Sequence, residues 1–283
     1  MKSGHYIVFA FSLLSFCIHS QIRNIEELRI WSGDSPWLIN SGLNFSYNNN
    51  DGNYVYELGA KAGTLFKFKD KSGKLNNKWL LHGNYSLVRS KREDFSNNWF
   101  VHLRFNKEIT SFFRVESFIQ SQENQLLSIR SRNLIGAGIR LKPLEDFQDS
   151  SKRNLHMYIG LAYMYEQEKS REFDLNFYNH RASSYITAGF QWGKDGHKLE
   201  IINTLYYQPL LNDFQNFRLS EEFSISFPIS DDIGFKTTFN YFLNNKTPAG
   251  DIEYRSYIGM GFTYNLKIDP DPPKFKINGE KRH

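Results

Sequence analysis

The chain has 283 residues, a formal net charge of +5 and an aromatic content of 16%, with 25 Phe and 16 Tyr. Mean hydropathy is -0.55, and beyond the first twenty positions no apolar run approaches the roughly eighteen residues that a membrane-spanning helix requires. Helical spans are excluded, and acids interspersed with bases, without long basic blocks, exclude a nucleic-acid partner.

The chain opens on Lys2, an apolar stretch from Tyr6 to Ile18, and then His19, Ser20 and Gln21. A basic start, a short apolar core and a small residue at the cut predict a secretory signal peptide over residues 1–20 and export from the cytoplasm. An N-terminal anchoring helix is the alternative, but the stretch is short for a span. The sole cysteine, Cys17, follows the bulky Phe16, which argues against lipidation, and its removal with the signal leaves no thiol for disulfides. Loss of Lys2 lowers the charge from +5 to +4. Residues 21–36 form a periplasmic lead in which Ile22, Ile25 and Leu28 stand at near-helical spacing; a short helix and an unstructured lead both fit.

From Trp37 the apolar period becomes two, the period of a strand with one apolar face. Trp37, Ile39, Leu43, Phe45 and Tyr47 oppose Asn40, Gly42, Asn44 and Ser46. Asp51-Gly52 in an Asn-rich turn then marks a hairpin. In the second strand Tyr54, Tyr56, Leu58, Ala60, Ala62, Phe66 and Phe68 oppose Glu57, Gly59, Lys61, Gly63 and Lys67. Further strands are predicted near 78–88, 97–106, 111–121, 129–142, 154–166, 181–193, 198–208, 216–229, 233–244 and 252–266. The expected fold is all-β, a transmembrane antiparallel up-and-down β-barrel of about twelve strands over residues 37–266, set in an outer membrane.

Tight connections at Asn106 to Thr110, Gly193 to Gly196 and Ser230 to Asp232 contrast with a long stretch from Gln167 to Asn179, as expected of short periplasmic turns and longer outer loops. Trp37, Trp79, Trp192 and Tyr264 are expected at the periplasmic strand ends, and Tyr47, Tyr54 and Tyr254 at the outer ends, as two aromatic girdles. Two residues break the pattern. Glu221 falls between Leu219 and Phe223, and Asn203 between Ile201 and Leu205, on apolar faces; a β-bulge or a rim position is expected there. Residues 267–283, led by Asp269-Pro270-Asp271-Pro272-Pro273, read as a flexible periplasmic tail.

Arg130, Arg132, Leu134-Ile135-Gly136-Ala137-Gly138 and Gly160-Leu161-Ala162-Tyr163 resemble the domain-of-unknown-function family 481, described as salt-induced outer-membrane proteins. Leu205-Tyr206-Tyr207-Gln208-Pro209, Asp213-Phe214, Arg218 and Gly259-Met260-Gly261-Phe262 are similar to its later segments, so the resemblance runs from about Trp37 to Leu266. It departs at the Asn-rich first hairpin and in the Pro-rich tail. The resemblance implies an outer-membrane barrel linked to osmotic or salt conditions and brings no catalytic residues to carry over.

Gly136-Ala137-Gly138 and Gly259-Met260-Gly261 lack the third glycine and following helix of a dinucleotide fingerprint, and His82, His102 and His156 have no metal-ligand spacing, so no cofactor or metal is expected. His102 with Ser86 or Ser90 is the one arrangement that a barrel enzyme acting on lipid would use, and without a recognisable nucleophile context no enzyme is expected.

The informative set is the charge assigned to the lumen. Lys61, Lys67, Arg104, Arg114, Arg130, Arg132, Arg140, Arg181, Lys198, Arg218, Lys236 and Arg255 stand against Glu57, Glu116, Glu166, Glu200, Glu222 and Glu253, twelve bases to six acids. One reading is a salt-bridged interior that fills the barrel; the other is a narrow path that prefers anions, because rings of Arg and Lys select them. The candidate cluster is Arg104, Arg114, Arg130, Arg132, Arg140, Glu116, Arg218, Glu222 and Arg255. The expected role is structural or the transport of small solutes or ions, with outer-membrane lipid as the surrounding partner. A lipid-modifying barrel enzyme and a secreted soluble β protein that binds an apolar ligand are the alternatives.

Overall fold

The computed structural model describes residues 35–50, 53–70, 73–90, 96–124, 129–144, 147–149, 153–171, 175–194, 197–230, 232–246 and 254–268. The expected signal peptide, most of the lead and the tail beyond residue 268 lie outside the described residues.

Alternating apolar and polar side chains give the chain two unlike faces at every strand, and the backbone satisfies its hydrogen bonds only by pairing each strand with its neighbours. The strands are β1 (Trp37–Asn50), β2 (Asn53–Phe68), β3 (Asn77–Ser90), β4 (Ser96–Glu108), β5 (Phe113–Asn124), β6 (Ile129–Leu141), β7 (Phe147–Asp149), β8 (Arg153–Ser170), β9 (Asn176–Lys194), β10 (His197–Pro209), β11 (Phe217–Pro228), β12 (Ile233–Asn244) and β13 (Tyr254–Ile268). Each pairs antiparallel with the next, except that β6 does not pair with β7. β13 returns to pair with β1 from Trp37↔Ile268 to Ser46↔Gly259, while β6 pairs directly with β8. The three-residue β7 touches only β8, so of thirteen strands twelve form the closed ring that the alternation predicts.

The polarity of the ring is inverted relative to a soluble barrel. Leu43 is 65% exposed and Ile135 55%, with Leu58, Leu161, Ile258 and Met260 exposed on the same outer face. Arg104, Arg132, Arg140, His102 and Gln208 are among the most buried side chains. An apolar exterior around a polar interior is stable in lipid and unfavourable in water. At the end of the ring near the chain termini, Trp37, Phe66, Trp79 and Phe105 are successive register partners in one outward row, with the Trp79 and Phe105 ring centroids 4.9 Å apart. Trp192 and Tyr264 are exposed at the same end and Tyr254 at the other, as the girdles require. The side chains of Tyr47 and Tyr54 lie outside the described residues.

Two expectations change. Most of the stretch from Gln167 to Asn179 is strand, because β8 continues to Ser170 and β9 begins at Asn176. Glu168 supplies an inward polar side chain there, so the alternation persists through residues that look like loop by composition. Conversely, one connection at the terminal end, between β2 and β3, is not tight: Asp70 organises it by accepting from Lys74 N and Asn76 Nδ2, and Gly73 takes a left-handed φ of 81°. The second change concerns Asn203 and Glu221. The β10–β11 ladder is unbroken, with no bulge, and Asn203 Nδ2 donates to Glu221 Oε1 at 2.9 Å on the outer face.

Candidate functional site

Inward positions follow from the register, and they divide the lumen into two walls. On the wall from β4 to β10, and at Arg218 on β11, large charged and aromatic side chains converge. On the rest of the ring many inward residues are small and polar, among them Asn40, Gly42, Asn44, Ser46, Gly59, Gly63, Ser224, Thr238, Gly259 and Gly261, interspersed with Glu57, Lys61, Lys67, Lys78, Glu222 and Lys236.

At the ring end away from the termini, Glu166 on β8 is the hub. Its Oε2 accepts from Arg132 Nε at 2.7 Å and from Arg218 Nη1 at 2.6 Å, and Arg132 Nη2 also donates to it. Its Oε1 accepts from Asn179 Nδ2 at 2.8 Å and Arg181 Nε at 3.4 Å. One step along β8, both oxygens of Glu168 accept from Arg218 Nη2 at 3.0 Å, and Arg132 Nε is 3.4 Å away. Arg132 and Glu166 have no exposed side-chain surface, which is tolerable only because each is ion-paired and hydrogen-bonded. The cluster ties β6, β8, β9 and β11 together across the mouth of the lumen.

Nearer the termini, Glu116 on β5 is a second hub. It accepts from Asn106 Nδ2 at 2.7 Å, Arg104 Nη1 at 3.3 Å and the Tyr185 hydroxyl at 3.1 Å, and Arg140 Nη1 lies 3.8 Å off. Tyr185 reaches Glu116 from β9 by lying over Gly160, where a Cβ would collide with its ring. The Arg140 guanidinium stacks 3.7 Å from the Tyr158 ring centroid. Between the two hubs lies an apolar layer of Phe118, Leu134, Met164, Tyr185 and Tyr206. Beside it a polar chain runs along the wall: Arg104 Nε donates to His102 Nε2, so His102 Nδ1 carries the proton and donates to Gln120 Oε1 at 2.9 Å. Gln120 Nε2 in turn donates to Gln122, the register partner of Arg132.

Of the residues singled out from the sequence, Arg104, Glu116, Arg132, Arg140 and Arg218 are brought together as these two hubs. Arg114 is half-buried at the rim, donating to Glu108 through Nε and Nη2 at 3.0 and 2.7 Å. Glu222 faces the lumen on the other wall, 3.9 Å from Lys236 Nζ. Arg130 is a correction: the β6–β8 register shifts between Ile129 and Ser131, and the shift leaves Arg130 exposed while Arg132 keeps its inward place. The Arg255 side chain lies outside the described residues. His102 is not joined to Ser86; it pairs across the ladder with His82, and Ser86 with Asn98.

The sequence alone does not bring out Glu168, which lies past the expected strand 154–166 in the continuation of β8, nor the apolar residues that face inward. Their signal is the apolar doublet. Leu38-Ile39, Leu65-Phe66, Leu80-Leu81 and Leu134-Ile135 each place one member inward, and Leu38, Leu65 and Leu80 form a buried cluster of their own.

Among solved structures the chain is similar to the NanC porin in a rhombohedral crystal form, with a TM-score of 0.44 and 11% identity over 81% of this chain and 100% of that one. It is similar also to LpxR from Salmonella typhimurium, with a TM-score of 0.47 and 9% identity over 80% and 99% of the two chains. The CymD monoaromatic hydrocarbon channel follows at 0.39 and 10% over 90% and 95%. At these scores and identities nothing is carried from those proteins to this chain. No curated protein sequence matches the chain. The profile of a family described as "Protein of unknown function, DUF481" matches residues 62–266, the span in which the sequence motifs lie. With most of the ring inside that match, the chain belongs to the DUF481 family.

Proposed function

We propose that the chain is an outer-membrane barrel that passes small polar solutes or ions through its lumen and prefers anions. The observation that carries this reading is the division of the lumen into two walls. The paired wall stiffens the ring, and the wall rich in Gly, Ser, Thr and Asn carries hydrogen-bonding groups on short side chains that can exchange with those of a passing solute. Among the described residues the inward bases Lys61, Lys67, Lys78, Arg104, Arg114, Arg132, Arg140, Arg181, Arg218 and Lys236 outnumber the inward acids Glu57, Glu108, Glu116, Glu166, Glu168, Glu200 and Glu222. That excess favours anions over cations of equal size. A narrow ion path also fits a role under changing salt, which the family resemblance implies.

The test is a planar-bilayer recording of the purified full chain. Discrete conductance steps with a reversal potential displaced toward that of chloride in a KCl gradient support the reading. A protein that is folded by gel mobility yet produces no conductance, or one that prefers potassium, overturns it.

A further inference from the structure

The two carboxylates of the outer hub are not equivalent. Glu166 is wholly buried and is held through both oxygens by Arg132, Arg218, Asn179 and Arg181. Glu168 is 14% exposed, sits two residues from the end of β8, and contacts only Arg218 and, at 3.4 Å, Arg132.

The grip on Glu168 is also poor in geometry. Both of its oxygens contact the single nitrogen Nη2 of Arg218, and Nε of the same guanidinium is buried with no hydrogen-bond partner among the described residues. Nε–H and Nη2–H point the same way and form the fork that a carboxylate fills with two parallel hydrogen bonds. Arg218 therefore presents a buried bidentate edge that its resident partner uses on one side only. Among the described residues three guanidiniums face two carboxylates here, so the cluster has an excess of positive charge with Glu168 in place and a larger one when Glu168 swings out.

We propose that the Nε–Nη2 edge of Arg218, backed by Arg132, is a binding site for a small carboxylate solute, and that Glu168 is a built-in competitor that the solute displaces at the mouth of the lumen. The inference rests on the reading of the lumen as a solute path for its biological meaning, but its binding step is measurable without transport. Displacement breaks the Glu168–Arg218 contact and no covalent bond. Glu168 moves from its partly exposed ion pair to the mouth, and the arriving carboxylate takes the fork.

The experiment uses the full chain folded in detergent, with acetate as the probe and chloride and inorganic phosphate as controls at matched ionic strength. Acetate is expected to raise the unfolding temperature beyond chloride and phosphate. In Glu168→Gln, where the competitor's charge is gone, half-saturation is expected at about tenfold lower acetate, the factor set by how fully Glu168 occupies the site. Arg218→Lys, which keeps the charge and loses the fork, is expected to abolish the difference between acetate and chloride. Equal shifts for acetate and chloride in both wild type and Glu168→Gln overturn the site, and a stronger response to phosphate overturns the choice of ligand. Bilayer conductance separates the two proposals. Conductance without acetate binding leaves the path and sinks the site, while acetate binding without conductance leaves the site and sinks the path.

Discussion

At the scale of single residues, the lumen depends on two glutamates that each neutralise several guanidiniums. Replacing Glu166 by Gln removes the buried carboxylate that Arg132, Arg181 and Arg218 share and leaves Glu168 alone against them, and the expected loss is about 3–5 kcal/mol. Urea unfolding of the folded protein in detergent measures it. Tyr185→Phe removes one hydrogen bond to Glu116 and is expected to cost only about 1–2 kcal/mol. Gly160→Val is expected to cost more than Tyr185→Phe, because it pushes the ring off the floor it lies on; the same unfolding assay ranks the two. The facing of Arg132, Arg140 and Glu116 was legible in the alternation, since side chains two apart share a face. Their partners were not legible. Which guanidinium meets which carboxylate depends on stagger between strands, and the Arg130 case shows that one extra residue in a strand is enough to turn an expected buried charge into an exposed one.

At the scale of elements, β10 and β11 carry a polar pair on a face that is otherwise apolar. Asn203 and Glu221 satisfy each other, so losing one exposes the other to an apolar surrounding. Asn203→Leu alone is expected to destabilise the folded protein in lipid, and Asn203→Leu with Glu221→Leu to recover wild-type stability or exceed it; a double-mutant cycle by urea unfolding in vesicles decides. The sequence marks both residues as breaks in the pattern, but the break is visible one strand at a time and its remedy lies on the neighbouring strand. A second link joins the β10–β11 and β12–β13 connections, where Lys246 Nζ donates to Asp213 Oδ2 at 2.8 Å. That hydrogen bond, with help from the backbone of Gln215 and Asn216, holds the Asp213 carboxyl below the usual carboxylate range. A depressed carboxyl pKa contributes stability above the unfolded value and loses it as pH falls through the folded value. The link is therefore expected to persist to more acidic pH than a free aspartate stays charged. In Lys246→Ala the Asp213 titration, followed by carboxyl carbon NMR, is expected to move up.

At the scale of the whole molecule, the twelve strands form a ring in which no edge is left unpaired. Strand number and alternation were legible because each strand reports its own two faces. The loop lengths misled at Gln167 to Asn179, since composition there resembles a loop while the period of two continues. The pairing of β13 with β1 has a further consequence, which concerns parity. An antiparallel ring closes on itself only with an even number of strands; removal of one forces a parallel pair and carries the C-terminus to the opposite side of the membrane. Size in this architecture can therefore change only by whole hairpins. Deletion of the hairpin β11–β12 is expected to leave a smaller ring that still shows heat-dependent gel migration, whereas deletion of β12 alone is expected to leave none.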